Sequence, residues 1–233
     1  MAIGALGSLL LAGVLFAGEA FAAAPRFTPC TIGDGPVRAA ADCATLDVPL
    51  EHGDPAAGSI TLALARVRAR RAGADGTAFT MIAGGPGQSA IDSWPEVAFA
   101  FRHIARDHDV ILVDQRGTGA SAPLDCPEAD DIAEGGAALS PESAARLAAE
   151  CRASLGLDPA LFTTSVAVRD LELVRERLGI TGWHLYGVSY GTRVAQHYTR
   201  RFPERVRTMI LDAVVPPDLA LGPDIAPFAD RAL

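Results

Sequence analysis

The sequence predicts an α/β protein whose sheet is mostly parallel and flanked by helices. From residue 78 onward, short apolar segments typical of buried strands alternate with longer segments that carry helix caps and helical spacing of apolar residues. The 233 residues are 49% hydrophobic and 21% charged, which gives enough apolar material for one sizeable core. There are no internal repeats.

Six segments are predicted to form strands. Ser59–Val67 shows the period-two alternation of a half-buried strand. Phe79–Ala83 and Asp109–Val113 are short apolar runs that end in Gly-rich or polar turns, as parallel strands buried on both faces do. In chain order, the predicted strands are 45–50, 59–67, 79–83, 109–113, 183–188 and 208–212.

Four helices are predicted between these strands, and the last of them, over 192–198, follows Ser189. Ile91–Arg106 has the length and apolar content of a crossover helix between two parallel strands. The next helix is capped by Ser140 and should end near Ser154. The dipeptide Thr163-Thr164 caps the third, and Gly179 ends it.

Residues 1–24 are predicted to be a secretory signal peptide. Ala2–Gly18 is an unbroken run of apolar and small residues, and Ala20-Phe21-Ala22 fits the small-x-small rule for cleavage. No Lys or Arg precedes the run and Glu19 lies near its end, so an uncleaved membrane anchor is the alternative. Cleavage would leave a secreted or periplasmic protein with no stable membrane association.

The cysteine content agrees with export. The chain holds 4 cysteines, an even number, and none of them shows the Cys-x-x-Cys spacing of zinc or redox sites. We expect the disulfides Cys30–Cys43 and Cys126–Cys151, each of which would close a short loop. The alternative is four unpaired, buried thiols in a cytosolic protein, and it would require that residues 1–24 are not a signal peptide.

Charge and spacing exclude several classes of partner. The formal net charge of -8 argues against nucleic acid, because a phosphate-binding face needs clustered Lys and Arg. No cluster of His, Asp or Cys has the spacing of metal ligands, so neither a metal nor another cofactor is predicted. The oligomeric state is not fixed by the sequence.

The strongest functional signal is the pentapeptide Gly187-Val188-Ser189-Tyr190-Gly191. It has the Gly-x-Ser-x-Gly pattern and lies between an apolar strand and a helix predicted over 192–198. Such a tight turn strains the backbone at Ser189, and a Cβ at either glycine would crowd the strand and the helix. The sequence therefore predicts Ser189 as a nucleophile whose hydroxyl stands clear of the sheet.

Attack by a serine creates an oxyanion that needs preorganised N–H donors. The backbone N–H of Tyr190, at the start of the helix, is one candidate donor. The other lies in Gly84-Gly85-Pro86-Gly87, directly after a strand, where a backbone without side chains can approach a substrate and donate from Gly85. A plain connecting loop is the alternative interpretation of this segment.

Four motifs follow one another at 83–89, 113–121, 185–192 and 211–218. In order and spacing they resemble the proline iminopeptidase and tripeptidyl aminopeptidase branch of the α/β-hydrolases, over roughly residues 27–225. The resemblance implies the α/β-hydrolase fold, Ser189 as nucleophile and an oxyanion hole from the N–H groups of Gly85 and Tyr190. It also implies a secreted or periplasmic enzyme that releases residues or short peptides from peptide N-termini.

An acidic and a basic residue, Asp114 and Arg116, follow the fourth predicted strand. They match a motif that is mainly architectural in the family that the chain resembles. The resemblance therefore implies that they tie together loops near the site. A direct catalytic role is not predicted for either residue.

The remaining members of a catalytic triad are not found in the sequence. In this fold an acid and then a histidine follow the serine along the chain. His197 is the only histidine after Ser189, and eight residues of helix would place it about 12 Å away, too far to take the proton. The four earlier histidines are predicted to be structural or exposed. Asp212 is also predicted to be structural, because the family's acid follows a later strand.

The chain is therefore predicted to be the N-terminal part of a hydrolase. Residues 25–215 would form the first part of the core and 216–233 the start of a cap or lid, so this chain alone should be nearly inactive. A peptide or a small ester is the predicted substrate. An esterase or lipase, a non-catalytic hydrolase-like binding module and an inactive fragment remain alternatives.

Overall fold

A computed structural model describes residues 24–71, 75–126 and 140–220, which build one seven-stranded sheet and its flanking helices. The strands are β1 Thr28–Ile32, β2 Ala39–Pro49, β3 Ser59–Val67, β4 Ala78–Ile82, β5 Asp109–Val113, β6 Trp183–Val188 and β7 Val206–Asp212. The α-helices are α1 Ala90–Val97, α2 Ile104–Asp107, α3 Pro141–Ser154, α4 Thr164–Arg177 and α5 Tyr190–Arg201. Short 3-10 turns occupy Pro55–Ala57, Pro159–Leu161 and Pro203–Arg205.

The sheet is mixed, with the order β1-β2-β3-β5-β4-β6-β7. The pairs β1 with β2, β2 with β3 and β3 with β5 are antiparallel, whereas the pairs among β5, β4, β6 and β7 are parallel. The alternation of strands and helices from residue 78 onward thus predicts the parallel half correctly. In that half β4 and β6 are neighbours, and Ile82 pairs with Gly187 at their carboxyl ends. In open α/β sheets this edge is where ligands bind.

The core lies on both faces of the sheet, and β5 shows why. Its residues Ile111 and Val113 belong to an apolar cluster that includes residues of α4 and α5. The alternate residues Val110 and Leu112 belong to a second cluster on the side of α1. Because successive side chains of a strand point to opposite faces, a strand with a core on each side must be apolar throughout. The short unbroken apolar runs in the sequence have this origin.

The structure corrects the predicted elements in two places. The strand β1 and the first half of β2 are not among the predicted strands, since their small and polar residues lack a clear apolar alternation. The helix predicted over 91–106 is broken, because α1 ends at Val97 and α2 begins only at Ile104. Between them Phe101 turns into the core, where its ring centroid lies 5.2 Å from that of Phe79 and 5.6 Å from that of Trp94.

Both predicted disulfides are confirmed. The bond Cys30–Cys43 joins β1 to β2 with the two Cα atoms 5.7 Å apart. The bond Cys126–Cys151 ties the loop after β5 to α3, with a Cα separation of 5.4 Å. Both separations are ordinary for disulfides, and pairing of this kind is typical of oxidising compartments.

The predicted signal peptide lies almost wholly outside the described residues, as does most of the predicted start of a cap. Within the described ranges, no helix combines the length and the apolar character needed to cross a membrane. The predicted boundaries at 24 and 215 therefore stay predictions.

Candidate active site

The turn between β6 and α5 holds Ser189 in an unusual backbone conformation. Its φ is 54° and its ψ is −123°, a region that residues with a Cβ rarely adopt. Hydrogen bonds hold the residue from both sides: its N–H donates to the Asp212 carbonyl at 2.9 Å, and its own carbonyl accepts from the N–H and hydroxyl of Thr192 at 2.9 and 2.6 Å. The strain predicted for this turn is therefore present.

The two glycines of the pentapeptide allow backbones to pack directly on each other. A Cβ on Gly187 would lie 2.5 Å from the Gly191 carbonyl oxygen. A Cβ on Gly191 would collide with the carbonyl oxygen of Ile82, the last residue of β4. The start of α5 thus lies against the end of β4, and only glycine fits at these two positions.

The glycine-rich segment after β4 borders on Ser189. A Cβ placed on Gly84 would lie 3.0 Å from the Ser189 Cβ and 3.5 Å from its Oγ. The next residue, Gly85, has a φ of 100°. The structure therefore brings together the three predicted site residues, since Tyr190 directly follows Ser189 and Gly85 directly follows Gly84.

Asp114, directly after β5, is 2% exposed and links two loops. Its carboxylate accepts hydrogen bonds from the Ser89 hydroxyl at 2.8 Å, the Ile91 N–H at 3.1 Å and the Ala120 N–H at 3.3 Å. Burial raises the pKa of this carboxyl, although the three donors oppose the change. Because Ser89 caps α1 at the end of the glycine-rich segment, Asp114 holds that segment to the loop after β5.

Arg116 holds a different element, the helix α4. Its guanidinium makes a two-pronged ion pair with Asp170 of α4, with N–O distances of 2.6 and 2.7 Å. It also donates to the carbonyls of Leu50 and Leu161 at 2.8 and 2.9 Å. Both ionic side chains are buried, so the pair is well shielded from water.

Asp170 is a residue that the sequence interpretation missed. It follows Ala167 by three residues and precedes Leu171, so a helical projection places a charge beside the apolar stripe of α4. A charged residue at such a position needs a buried partner, and this signal was available in the sequence. His52 also contacts it, with 2.6 Å between His52 Nε2 and Asp170 Oδ1.

The described residues do not supply Ser189 with a base. All five histidines fall within them, and no hydrogen bond joins a histidine to Ser189. His184 is the second residue of β6, five residues and about 16 Å before Ser189 along the strand. His197 lies eight residues along α5, and burial, followed by the charges of Arg193 and Arg200, lowers its pKa. In the same ranges, no group of three or more His, Cys, Asp or Glu residues could hold a metal ion.

Asp212, the last residue of β7, forms hydrogen bonds with Ser189 and with Tyr186 of β6. Its carbonyl accepts from Ser189, and its carboxylate accepts from the Tyr186 hydroxyl at 2.6 Å. Burial, together with this hydrogen bond, raises the pKa of Tyr186 to about 12. These contacts agree with the structural role predicted for Asp212.

A serine on a strained turn after a parallel strand, beside a glycine-rich loop after the neighbouring strand, is the arrangement of the α/β-hydrolases. The sequence matches the family described as alpha/beta hydrolase fold over residues 77–230, and the chain belongs to that family.

Named relatives agree with the resemblance seen in the motifs. A tripeptidyl aminopeptidase of Streptomyces lividans is 31% identical over 196 residues, covering 75% of this chain and 35% of the relative. The serine protease Hip1 of Mycobacterium tuberculosis is 30% identical over 210 residues, covering 83% of this chain and 40% of the relative. A proline iminopeptidase of Neisseria meningitidis is 29% identical over 141 residues, covering 60% and 33%. The chain thus spans well under half the length of these curated relatives.

Proposed function

We propose that this chain carries the nucleophile of a serine peptidase that releases residues or short peptides from peptide N-termini. The observation that carries the proposal is Ser189 on its strained turn, with its Oγ beside the backbone of Gly84. A hydroxyl held in this way is exposed to a carbonyl that enters at the carboxyl edge of β4 and β6. The peptidase names of the relatives favour a peptide over other carbonyl substrates.

In the proposed reaction the Ser189 Oγ attacks the scissile carbonyl while a base removes its proton. The negative charge that develops on the carbonyl oxygen is then stabilised by the backbone N–H groups of Gly85 and Tyr190. As this intermediate collapses, the base gives the proton to the leaving nitrogen, so the amine departs and an acyl-enzyme remains on Ser189. In the second step the same base takes a proton from water, which attacks the acyl-enzyme, and the proton then returns to the Ser189 Oγ as the acid product leaves. Neither step needs a metal or another cofactor.

The base and its acid partner are proposed to come from chain beyond residue 233. Support comes from the histidines in the described ranges, none of which forms a hydrogen bond with Ser189. His197 lies along α5 and His184 at the far end of β6, whereas His52 and His108 contact other side chains and His103 is exposed. Support also comes from the relatives, of which this chain covers 35% to 40% in the two longest alignments. Residues 1–233 alone should therefore show almost no turnover.

We propose a secreted or periplasmic location for the mature protein. The two disulfides fit an oxidising compartment, and residues 1–24 have the composition of a cleavable leader. N-terminal sequencing of the exported protein checks this, since cleavage after Ala22 or close to it is expected. A mature protein that begins at Met1 would contradict it.

The central test uses the full-length protein that contains this chain. Ser189→Ala should abolish the hydrolysis of aminoacyl and tripeptidyl anilides and the covalent labelling by a fluorophosphonate. Ser154→Ala is the matched control, because Ser154 is an exposed serine on α3 and should leave both signals unchanged.

Each other outcome points to one of the alternatives. Faster turnover of simple esters than of anilides would identify an esterase, because the same backbone donors serve an ester carbonyl. A folded full-length protein that is not labelled at Ser189 would overturn the proposal and favour a non-catalytic binding module.

A further inference from the structure

The helices α4 and α5 are joined by two hydrogen bonds, each made by a tyrosine hydroxyl of α5. At one end the Tyr190 hydroxyl lies 2.6 Å from the Thr164 Oγ1, and at the other the Tyr198 hydroxyl donates to the Glu172 carboxylate at 2.6 Å. In each pair the two residues are 26 positions apart in sequence. The two helices therefore run parallel and keep the same register from one pair to the other. Only the first pair lies at the end of α5 that carries Ser189.

Thr164 is fixed in space by contacts from other parts of the fold. It is the first residue of α4, and the capping residue Thr163 makes no side-chain cap hydrogen bond. Arg116 holds this end of the helix instead, through the Leu161 carbonyl just before it and through Asp170 further along. The Thr164 hydroxyl is therefore an anchor tied to the loop after β5.

We propose that Thr164 is a positioning residue for the oxyanion hole, and this inference rests on the proposed function. Its hydroxyl holds the Tyr190 side chain, and the backbone N–H of Tyr190 is the donor that follows the strained Ser189. A strained conformation persists only where its surroundings determine it on every side. The Asp212 carbonyl and Thr192 hold Ser189, whereas the hydrogen bond to Thr164 holds the residue that donates.

Asp114 and Arg116 lie two residues apart in the loop after β5, and each of them holds one of the two proposed oxyanion-hole donors in place. Asp114 fixes the segment that contains Gly85, through the hydroxyl of Ser89. Arg116 fixes α4, and through Thr164 it fixes Tyr190. The two donors of the oxyanion hole are thus both held from one loop, so their separation is set by two residues of the same short segment.

The test uses the full-length protein and the variants Thr164→Val and Tyr190→Phe, which remove one hydroxyl each without a change of shape. Each should lower kcat about tenfold, because a displaced donor costs less than the loss of a whole donor, which costs about 100-fold or more. KM should change less than twofold, as expected when an interaction with the transition state is lost. Thr164→Ser keeps the hydroxyl and should restore most of kcat, and the double variant should be no worse than Tyr190→Phe.

Tyr198→Phe is the matched control. It removes the equivalent hydrogen bond between the same two helices, eight residues further from Ser189, and its acceptor is the charged group of Glu172. It should lower the free energy of unfolding, measured with denaturant, at least as much as Tyr190→Phe does, because hydrogen bonds to charged groups are the stronger ones. It should nevertheless leave kcat within twofold of the wild type.

The positioning role is overturned if Thr164→Val leaves kcat within twofold, or if Tyr198→Phe lowers kcat as much as Tyr190→Phe. The second result would mean that α4 and α5 act only through overall packing. A folded wild-type protein without turnover and without an adduct on Ser189 would overturn the proposed function, and the positioning role with it. The wild-type measurement therefore separates the two failures.

Discussion

At the scale of single residues, the site depends on places where side chains are absent. Gly191 lets the start of α5 lie against the end of β4, and this contact sets the distance between the serine turn and the glycine-rich segment. The sequence predicts that the glycines are needed, and the structure identifies Ile82 as the neighbour of Gly191 that requires it. A main-chain oxygen cannot rotate away as a side chain can.

Gly191→Ala should therefore lower the free energy of unfolding by about 3 kcal/mol or more, because the new Cβ collides with the Ile82 carbonyl and the backbone must move. Denaturant unfolding of the full-length protein measures this. Gly156→Ala is the control, since a Cβ there meets nothing within 4 Å, and its effect should stay within about 0.5 kcal/mol. Equal effects of the two variants would contradict the packing account.

At the scale of elements, the start of β6 carries a polar cluster far from the proposed site. His184 Nδ1 lies 2.9 Å from the Thr208 hydroxyl of β7, and His184 Nε2 lies 3.2 Å from the Thr77 hydroxyl just before β4. The ring centroids of His184 and His108 are 4.5 Å apart. Burial, and then the neighbouring His108 with a smaller contribution from Arg207, lowers the pKa of His184, although Asp75 opposes the shift.

A histidine whose pKa is lower in the folded state stabilises the fold above its unfolded pKa of about 6.5, and this stability is lost as the pH falls through the folded pKa. The free energy of unfolding of the wild type should therefore fall between pH 7 and pH 5. His184→Gln cannot titrate, so its unfolding free energy should fall less over the same range. Denaturant titrations at several pH values measure the difference.

His103→Gln serves as the control for this pH dependence. His103 is an exposed histidine before α2 whose side chain makes no cap hydrogen bond, so its removal should leave the slope unchanged. If His184→Gln and the wild type had the same slope, His184 would not be a source of the acid sensitivity.

At the scale of the whole molecule, sequence and structure agree wherever one short segment determines the outcome. The apolar run of β5 and the caps of α3 and α4 are local signals, and the predicted elements match the observed ones closely. The pentapeptide around Ser189 is equally local. What could not be predicted depends on contacts between distant segments, such as the link from Arg116 to α4 or the inward turn of Phe101. The helical spacing of α4 marks Asp170 as a charge that needs a buried partner, but no local pattern identifies Arg116 as that partner.

Strand β7 lies at one edge of the described sheet. In the described part of the chain it pairs with β6 alone. Apolar side chains stay accessible along it and just beyond it, with Met209 37%, Ile210 49% and Val214 55% exposed. An open edge with apolar side chains is a template for pairing with another chain.

Residues 25–233 alone should consequently self-associate through β7, in a manner that depends on concentration and is measurable by sedimentation velocity. Ile210→Lys should reduce this association, because a lysine on an edge strand opposes pairing with another copy. Val37→Lys is the matched control, since Val37 is 50% exposed in the turn between β1 and β2 and the substitution adds the same charge. A chain that stays monomeric throughout, or an equal effect of the two lysines, would show that β7 is not the surface responsible. If the last strands of the fold do lie beyond residue 233, the full-length protein should cover β7 and show no such association.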